Sequence, residues 1–151
     1  MRIIPGDLGD KRVLELIHTH LAGMHASSPP GNVFALDLSG LRSPQIDFFA
    51  AWEGSTVVGM GALKALGPTE GEIKSMRTHA DHLRKGVAAR LLEHLRALAR
   101  ARGYRRVSLE TGSGPAFEPA LALYRQHGFR SGAPFGDYAA SAFSQFLQRE
   151  L

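Results

Sequence analysis

Apolar and polar positions along this chain change rhythm several times, and each change predicts an element. Arg2 to Pro5 reads as a short first strand. From Asp10 to Met24, Val13, Leu14, Leu16, Ile17 and Leu21 recur at roughly helical spacing, with Asp10 placed to cap the helix. His25 to Asn32 is a breaker-rich loop, and Val33 to Leu41 is expected to carry a second short helix. Ile46 to Trp52 and Thr56 to Leu66 are rich in β-branched, aromatic and small apolar residues. Glu53-Gly54-Ser55 between them predicts a hairpin. Glu72 to Thr78 follows a second turn as a third consecutive strand.

The clearest helix is expected from Lys85 to Arg102, where Val87, Ala88, Leu91, Leu92, Leu95, Leu98 and Ala99 form one stripe. Gly103 ends it. Arg106 to Thr111 alternates, with Val107 and Leu109 on one side and Ser108 and Glu110 on the other. Pro119 to His127 reads as a helix stopped by Gly128, and Phe129 to Pro134 and Phe143 to Leu151 as closing strands. The order is strand, helix, short helix, three strands, helix, strand, helix, two strands. It predicts an α/β fold of one domain over residues 1–151: a mixed, mostly antiparallel sheet of six to seven strands flanked by about four helices.

Composition narrows the chemistry. The chain has 151 residues and no cysteine, which removes disulfides, thiolate nucleophiles and thiolate metal sites. The seven histidines show no metal-ligand spacing with carboxylates, since His18 and His20 fall on different helix faces, so no metal is expected. No apolar run reaches the length of a membrane span, and the first residues are charged where a secretory signal is apolar. A cytoplasmic protein without membrane contact is the expectation. The net charge of +4 is uneven: eight basic residues and a single acid, Glu93, lie between Arg84 and Arg106. Such a block suits a phosphorylated small molecule, nucleic acid, or a solvated helix face. No aromatic residue sits on the helix to stack bases, which counts against nucleic acid.

One segment carries more than pattern. Glu72 to Thr78 is a strand, His79-Ala80-Asp81 a loop, and His82-Leu83-Arg84-Lys85-Gly86-Val87-Ala88-Ala89 the entry to a helix. A strand–glycine–helix turn aims backbone N–H groups at one point, where the helix dipole also favours an anion. Arg84, Lys85 and Arg90 add positive charge, and Ala88 and Ala89 keep the helix start narrow. The turn lacks the ending of a P-loop and the three glycines of a dinucleotide fingerprint.

Leu83-Arg84-Lys85-Gly86-Val87-Ala88 resembles the acetyl-CoA-binding motif of the GNAT acetyltransferases, Arg/Gln-x-x-Gly-x-Gly/Ala, with Leu83 departing at the first position. Glu118 to Phe129 resembles the later motif of the same family, Asn-x-x-Ala-x-x-Leu-Tyr-x-x-x-Gly-Phe, with Phe117 where Asn is usual. Ser27-Ser28-Pro29-Pro30, Ala35-Leu36-Asp37, Gly71 to Thr78 and Ser108 to Gly112 also resemble small bacterial members of the YsnE type.

The resemblance implies acetyl transfer from acetyl-CoA to a primary amine by direct attack, which needs no enzyme nucleophile. It implies that the main chain of Met76 and Thr78, with Arg77 between them, meets the pantetheine arm. The backbone of Arg84, Lys85, Gly86, Val87, Ala88 and Ala89 would meet the pyrophosphate. Glu72 becomes the candidate base, against a solvated glutamate at a strand start, and Glu110 a weaker one, against a cross-strand partner of an arginine. Tyr124 becomes the candidate acid for the departing thiolate, against a core tyrosine beside Leu121 and Phe129. His20, Met24, Ser27 and Ser28 fall where the family forms its acceptor cleft. A small-molecule amine and a protein or peptide amine both stay open as acceptor, as does a homodimer. Two other classes compete: a non-catalytic acyl-CoA-binding protein, and a basic nucleic-acid-binding module. Gly86→Val is expected to harm donor binding more than folding.

Overall fold

The computed structural model describes residues 1–151. Seven strands form one sheet: β1 (Arg2–Pro5), β2 (Ile46–Glu53), β3 (Thr56–Ala65), β4 (Glu70–Thr78), β5 (Arg106–Thr111), β6 (Arg130–Ser131) and β7 (Gln145–Glu150). The helices are α1 (Lys11–Ser27), α2 (Leu38–Leu41), α3 (Val87–Ala101) and α4 (Glu118–Gln126). Strand order is β1-β2-β3-β4-β5-β7-β6. Every neighbouring pair is antiparallel except β4 and β5.

Alternation along β2 sends side chains to both faces, as a pleated strand must. Phe48, Ala50 and Trp52 pack under α1 and α2 with Val13, Leu16, Ile17 and Leu41. Phe49 joins the other face, where Leu92 and Leu95 of α3 and Leu121 and Tyr124 of α4 meet Leu63, Ile73, Val107, Leu109 and Leu147. Asp10 caps α1 by accepting from the Arg12 N–H at 2.8 Å.

Two features of β4 shape the space beside it. Its pairing with β5 covers only Glu70, Gly71 and Glu72; beyond Glu72 the two strands part. Against β3, Met60 faces Arg77 while Ala62 faces Lys74, so Gly61 opposes both Ser75 and Met76. This is a β-bulge, and it holds Ser75 at φ 57°.

Three sequence expectations change. Val33–Leu41 is helical only over Leu38–Leu41, because Asp37 accepts from the Gly40 N–H and starts the turn there. Phe129–Pro134 is strand only at Arg130–Ser131; the Gly132 N–H still bonds the Phe146 carbonyl at 2.9 Å, and Pro134, which has no N–H to donate, lies outside the ladder. Ser108, on the side of β5 opposite Val107 and Leu109, is fully buried, while Glu110 on that same side is partly exposed.

Candidate active site

Where β4 and β5 part, the fold leaves a cavity of about 210 Å³. Glu72 to Arg77 form one wall and Leu109 to Thr111 another. His20, Met24 and Ser27 close it from the C-terminal half of α1, and Phe117 and Tyr124 from the other side. Of the proposed acceptor-side residues only Ser28 stays outside the lining.

Glu72 is buried, which removes the reading of a solvated strand-start residue. Its Oε2 accepts from the Tyr138 hydroxyl at 2.5 Å and from the Lys74 ammonium at 3.2 Å. Lys74 also donates to the Tyr138 hydroxyl at 2.8 Å. Both bonds to the carboxylate fall on Oε2; Oε1 has no protein partner, and the residue lines the cavity. Burial, and then the Glu72 charge, hold the Tyr138 hydroxyl far above its ordinary value, so it acts as a donor. Glu110 lines the same cavity and faces Phe146 on β7, not an arginine. Burial raises its pKa, with Ser144 and Lys74 opposing.

Tyr138 lies in the segment joining β6 to β7. Its ring meets Phe34, from the loop after α1, edge-on at 5.2 Å, and Asn32 donates to Ser141 at 3.3 Å across the same seam. Two irregular segments therefore meet beside the Glu72 carboxylate.

Tyr124 is both core and cavity wall. Its ring packs in one cluster with Leu121 and lies 5.8 Å from Phe129, and the residue lines the same cavity as Glu72. Burial pushes its pKa up to about 12, and no protein hydrogen bond offsets it, so the hydroxyl keeps its proton near neutrality.

At the other end of β4, Arg77 Nε donates to His20 Nδ1 at 3.0 Å. Burial first, then the Arg77 charge, lowers the His20 pKa to about 4, from 6.5. The unfolded chain therefore takes up a proton that the native state refuses, and stability falls as pH drops from about 6.5 to about 4. Replacing His20 by Gln is expected to flatten that part of a melting-temperature profile, and an unchanged slope would remove His20 as its source.

The phosphate cradle lies beyond Thr78 at the start of α3. Arg84 has φ 61° and Gly86 φ 80°, two left-handed residues that turn the chain sharply into the helix. The N–H groups of Val87, Ala88 and Ala89 have no intrahelical acceptor, and Arg84, Lys85 and Gly86 are exposed. A Cβ at Gly86 meets nothing within 4 Å and so would project into open space. Elsewhere in the basic block, Arg96 pairs with Glu93, Arg102 with Asp47 and Arg106 with Glu70. The uncompensated charge that remains includes Arg84, Lys85 and Arg90 around the cradle. One expectation needs correction: Gly86 precedes the helix in a left-handed conformation, so a β-branched valine there strains the backbone itself. Alanine is the cleaner probe.

Backbone direction sorts the β4 residues. The His79 N–H bonds Val58 on β3, so by the two-residue period Arg77 also faces β3, while Met76 and Thr78 face the open side. Sequence reading did not find Tyr138 or Lys74. Lys74 carried a signal as a lysine in register with Glu72 on one strand face; Tyr138, in an aperiodic segment, carried none.

The fold and the parted strands define an acyl-CoA N-acyltransferase. The chain belongs to the Acetyltransferase (GNAT) family, whose profile matches residues 14–129, and it is an acetyl-CoA-dependent N-acetyltransferase. It is 49% identical, over the whole of both chains, to the uncharacterized N-acetyltransferase YsnE of Bacillus subtilis. It is 34% identical to a protein of Azospirillum brasilense described as IAA acetyltransferase, covering 93% of this chain and 89% of that one. A GNAT acetyltransferase structure from Elizabethkingia anophelis with acetyl-CoA bound superposes with a TM-score of 0.72 at 18% identity, over 99% of this chain and 97% of that one. No helix is long and apolar enough to cross a membrane.

Proposed function

We propose that residues 1–151 act as one catalytic domain that transfers the acetyl group of acetyl-CoA to a primary amine by direct attack in a ternary complex. Acetyl-CoA supplies a thioester carbonyl, and every other part is a residue of this chain. The observation that carries the reading is Glu72: a buried carboxylate on the cavity wall whose Oε2 is held by Tyr138 and Lys74 while Oε1 has no protein partner.

Glu72 Oε1 takes the proton from the attacking amine, so that a C–N bond forms as the C–S bond breaks. The Tyr124 hydroxyl gives its proton to the departing sulfur. The main-chain groups of Met76 and Thr78, unpaired on the open edge of β4, hold the pantetheine arm as an added strand would be held. Arg77, between them, pairs its main chain with β3 and turns its guanidinium to His20 on α1. The N–H groups around Arg84, Lys85, Gly86, Val87, Ala88 and Ala89 hold the pyrophosphate, with the dipole of α3 behind them. Phe117, standing where the family has Asn, packs against Phe143 and walls the cavity with a ring.

Thiol release from acetyl-CoA over a panel of primary amines, with IAA included, tests the reaction. Release with IAA and with no amine would overturn the amine assignment. Donor binding is tested separately. Coenzyme A at a hundredfold excess over its dissociation constant is expected to stabilise the fold by roughly 2.7 kcal/mol. Gly86→Ala is expected to lose about 1–2 kcal/mol of stability from its left-handed backbone and most of that ligand-induced gain. A full gain in the variant places the cradle elsewhere.

A further inference from the structure

The cavity holds two cations, and they are not equivalent. Lys74 is paired with Glu72. Arg77 is half-buried and has no carboxylate partner. Its protein contacts are neutral: Nε donates to His20 Nδ1, and one terminal nitrogen donates to the His20 carbonyl at 3.4 Å. His20 accepts through Nδ1 and so carries its hydrogen on Nε2; the imidazole brings no negative charge. The other terminal nitrogen, Nη1, has no protein partner.

The position is built rather than incidental. Gly23 lies one turn along α1 from His20, and a Cβ there would stand 2.9 Å from an Arg77 terminal nitrogen. The missing side chain makes the room the guanidinium fills. A buried guanidinium without a counter-charge is costly, and a bound anion removes the cost. Neither of the cavity's own acids pairs with it: Glu72 is bonded by Lys74 and Tyr138, and Glu110 forms no ion pair with any arginine.

We propose that Arg77, held by His20 and given room by Gly23, is the anion-binding end of the acceptor site, and that the acceptor is an amine carrying a carboxylate several bonds away. This rests on the amine-acetylation reading above. The spacing follows from the strand. Glu72 and Arg77 lie at opposite ends of the cavity-facing part of β4, and at about 3.3 Å per residue their backbones stand roughly 15 Å apart. An α-amino acid is too short to reach both side chains, while an ω-amino acid or a short peptide with a free carboxylate spans more of the gap.

The test compares glycine, γ-aminobutyrate and δ-aminovalerate, each with its own carboxamide, by thiol release from acetyl-CoA. The longer amino acids are expected to exceed their amides in kcat/KM by roughly tenfold to a hundredfold, the range of a hydrogen-bonded charge pair. That ratio is expected to collapse toward one in Arg77→Gln through KM for the acid, and to recover in part in Arg77→Lys. Equal rates for acids and amides in the wild-type enzyme overturn the proposal without needing any variant. A rise in KM for acetyl-CoA in Arg77→Gln, with the acid preference intact, overturns it by assigning Arg77 to the donor. Calorimetric binding of N-acetyl-δ-aminovalerate in the presence of coenzyme A reads the subsite without chemistry. Binding that weakens in Arg77→Gln supports the subsite even where no amine is turned over, and absence of binding to the wild-type protein overturns it.

Discussion

Replacing Glu72 by glutamine is expected to lower turnover by roughly two to four orders of magnitude, the range of a positioned general base. The substitution keeps the side chain's shape and leaves an oxygen for the Tyr138 hydroxyl, but removes the group that accepts the amine proton. It also leaves the Lys74 ammonium buried without its counter-charge, so some loss of stability comes with it. The melting temperature must therefore be measured on the same variant. A pH series separates chemistry from disruption. As pH rises toward the pKa of the acceptor amine, more of it arrives already deprotonated, and the deficit of Glu72→Gln is expected to shrink. A deficit that stays constant across that range indicates misfolding of the cavity. Turnover within a few-fold of wild type near neutrality removes Glu72 as the base and moves attention to Glu110, the other carboxylate on the wall.

How much of the molecule was legible depends on where each signal lies in the chain. The hairpin of β2 and β3 is a local pattern, two alternating runs about a Glu-Gly-Ser turn, and the stripe of α3 needs only its own residues. Both appear where the spacing puts them, to within a residue or two. The left-handed glycine at the entry to α3 is local as well. The parting of β4 from β5 is not, because it depends on strands separated by all of α3, and only the family motif pointed to it. The Glu72–Tyr138 bond spans 66 residues and the Arg77–His20 bond 57. No periodicity links such residues. Tyr138 sits in a stretch with no regular structure, held by Phe34, Phe135 and Phe146 around its ring. Ser108 shows the same limit: alternation puts it with Glu110 on the side opposite Val107 and Leu109, and its full burial depends on the rest of the fold and not on its own strand.

Tyr124→Phe is expected to lower turnover roughly a hundredfold while leaving the affinity for acetyl-CoA nearly unchanged. The lost interaction is a proton given to the departing sulfur, so it belongs to the transition state and not to the bound donor. The structure sharpens the comparison. Burial alone shifts this hydroxyl, with no protein hydrogen bond to lose, and the ring contacts with Leu121 and Phe129 survive in phenylalanine. The variant should fold and melt much as the wild type does, so a fall in turnover cannot be assigned to a loosened core. A thiolate is a tolerable leaving group and water can protonate it, which caps the size of the loss. The pH profile adds a second readout. With the wild-type hydroxyl pushed up to about 12, its proton is present across the working range, and loss of the acid is expected at all those pH values alike. Turnover of Tyr124→Phe near wild type, under conditions where the chemical step limits the rate, leaves Tyr124 as a core residue that happens to face the cavity. The proton then reaches the sulfur by another route.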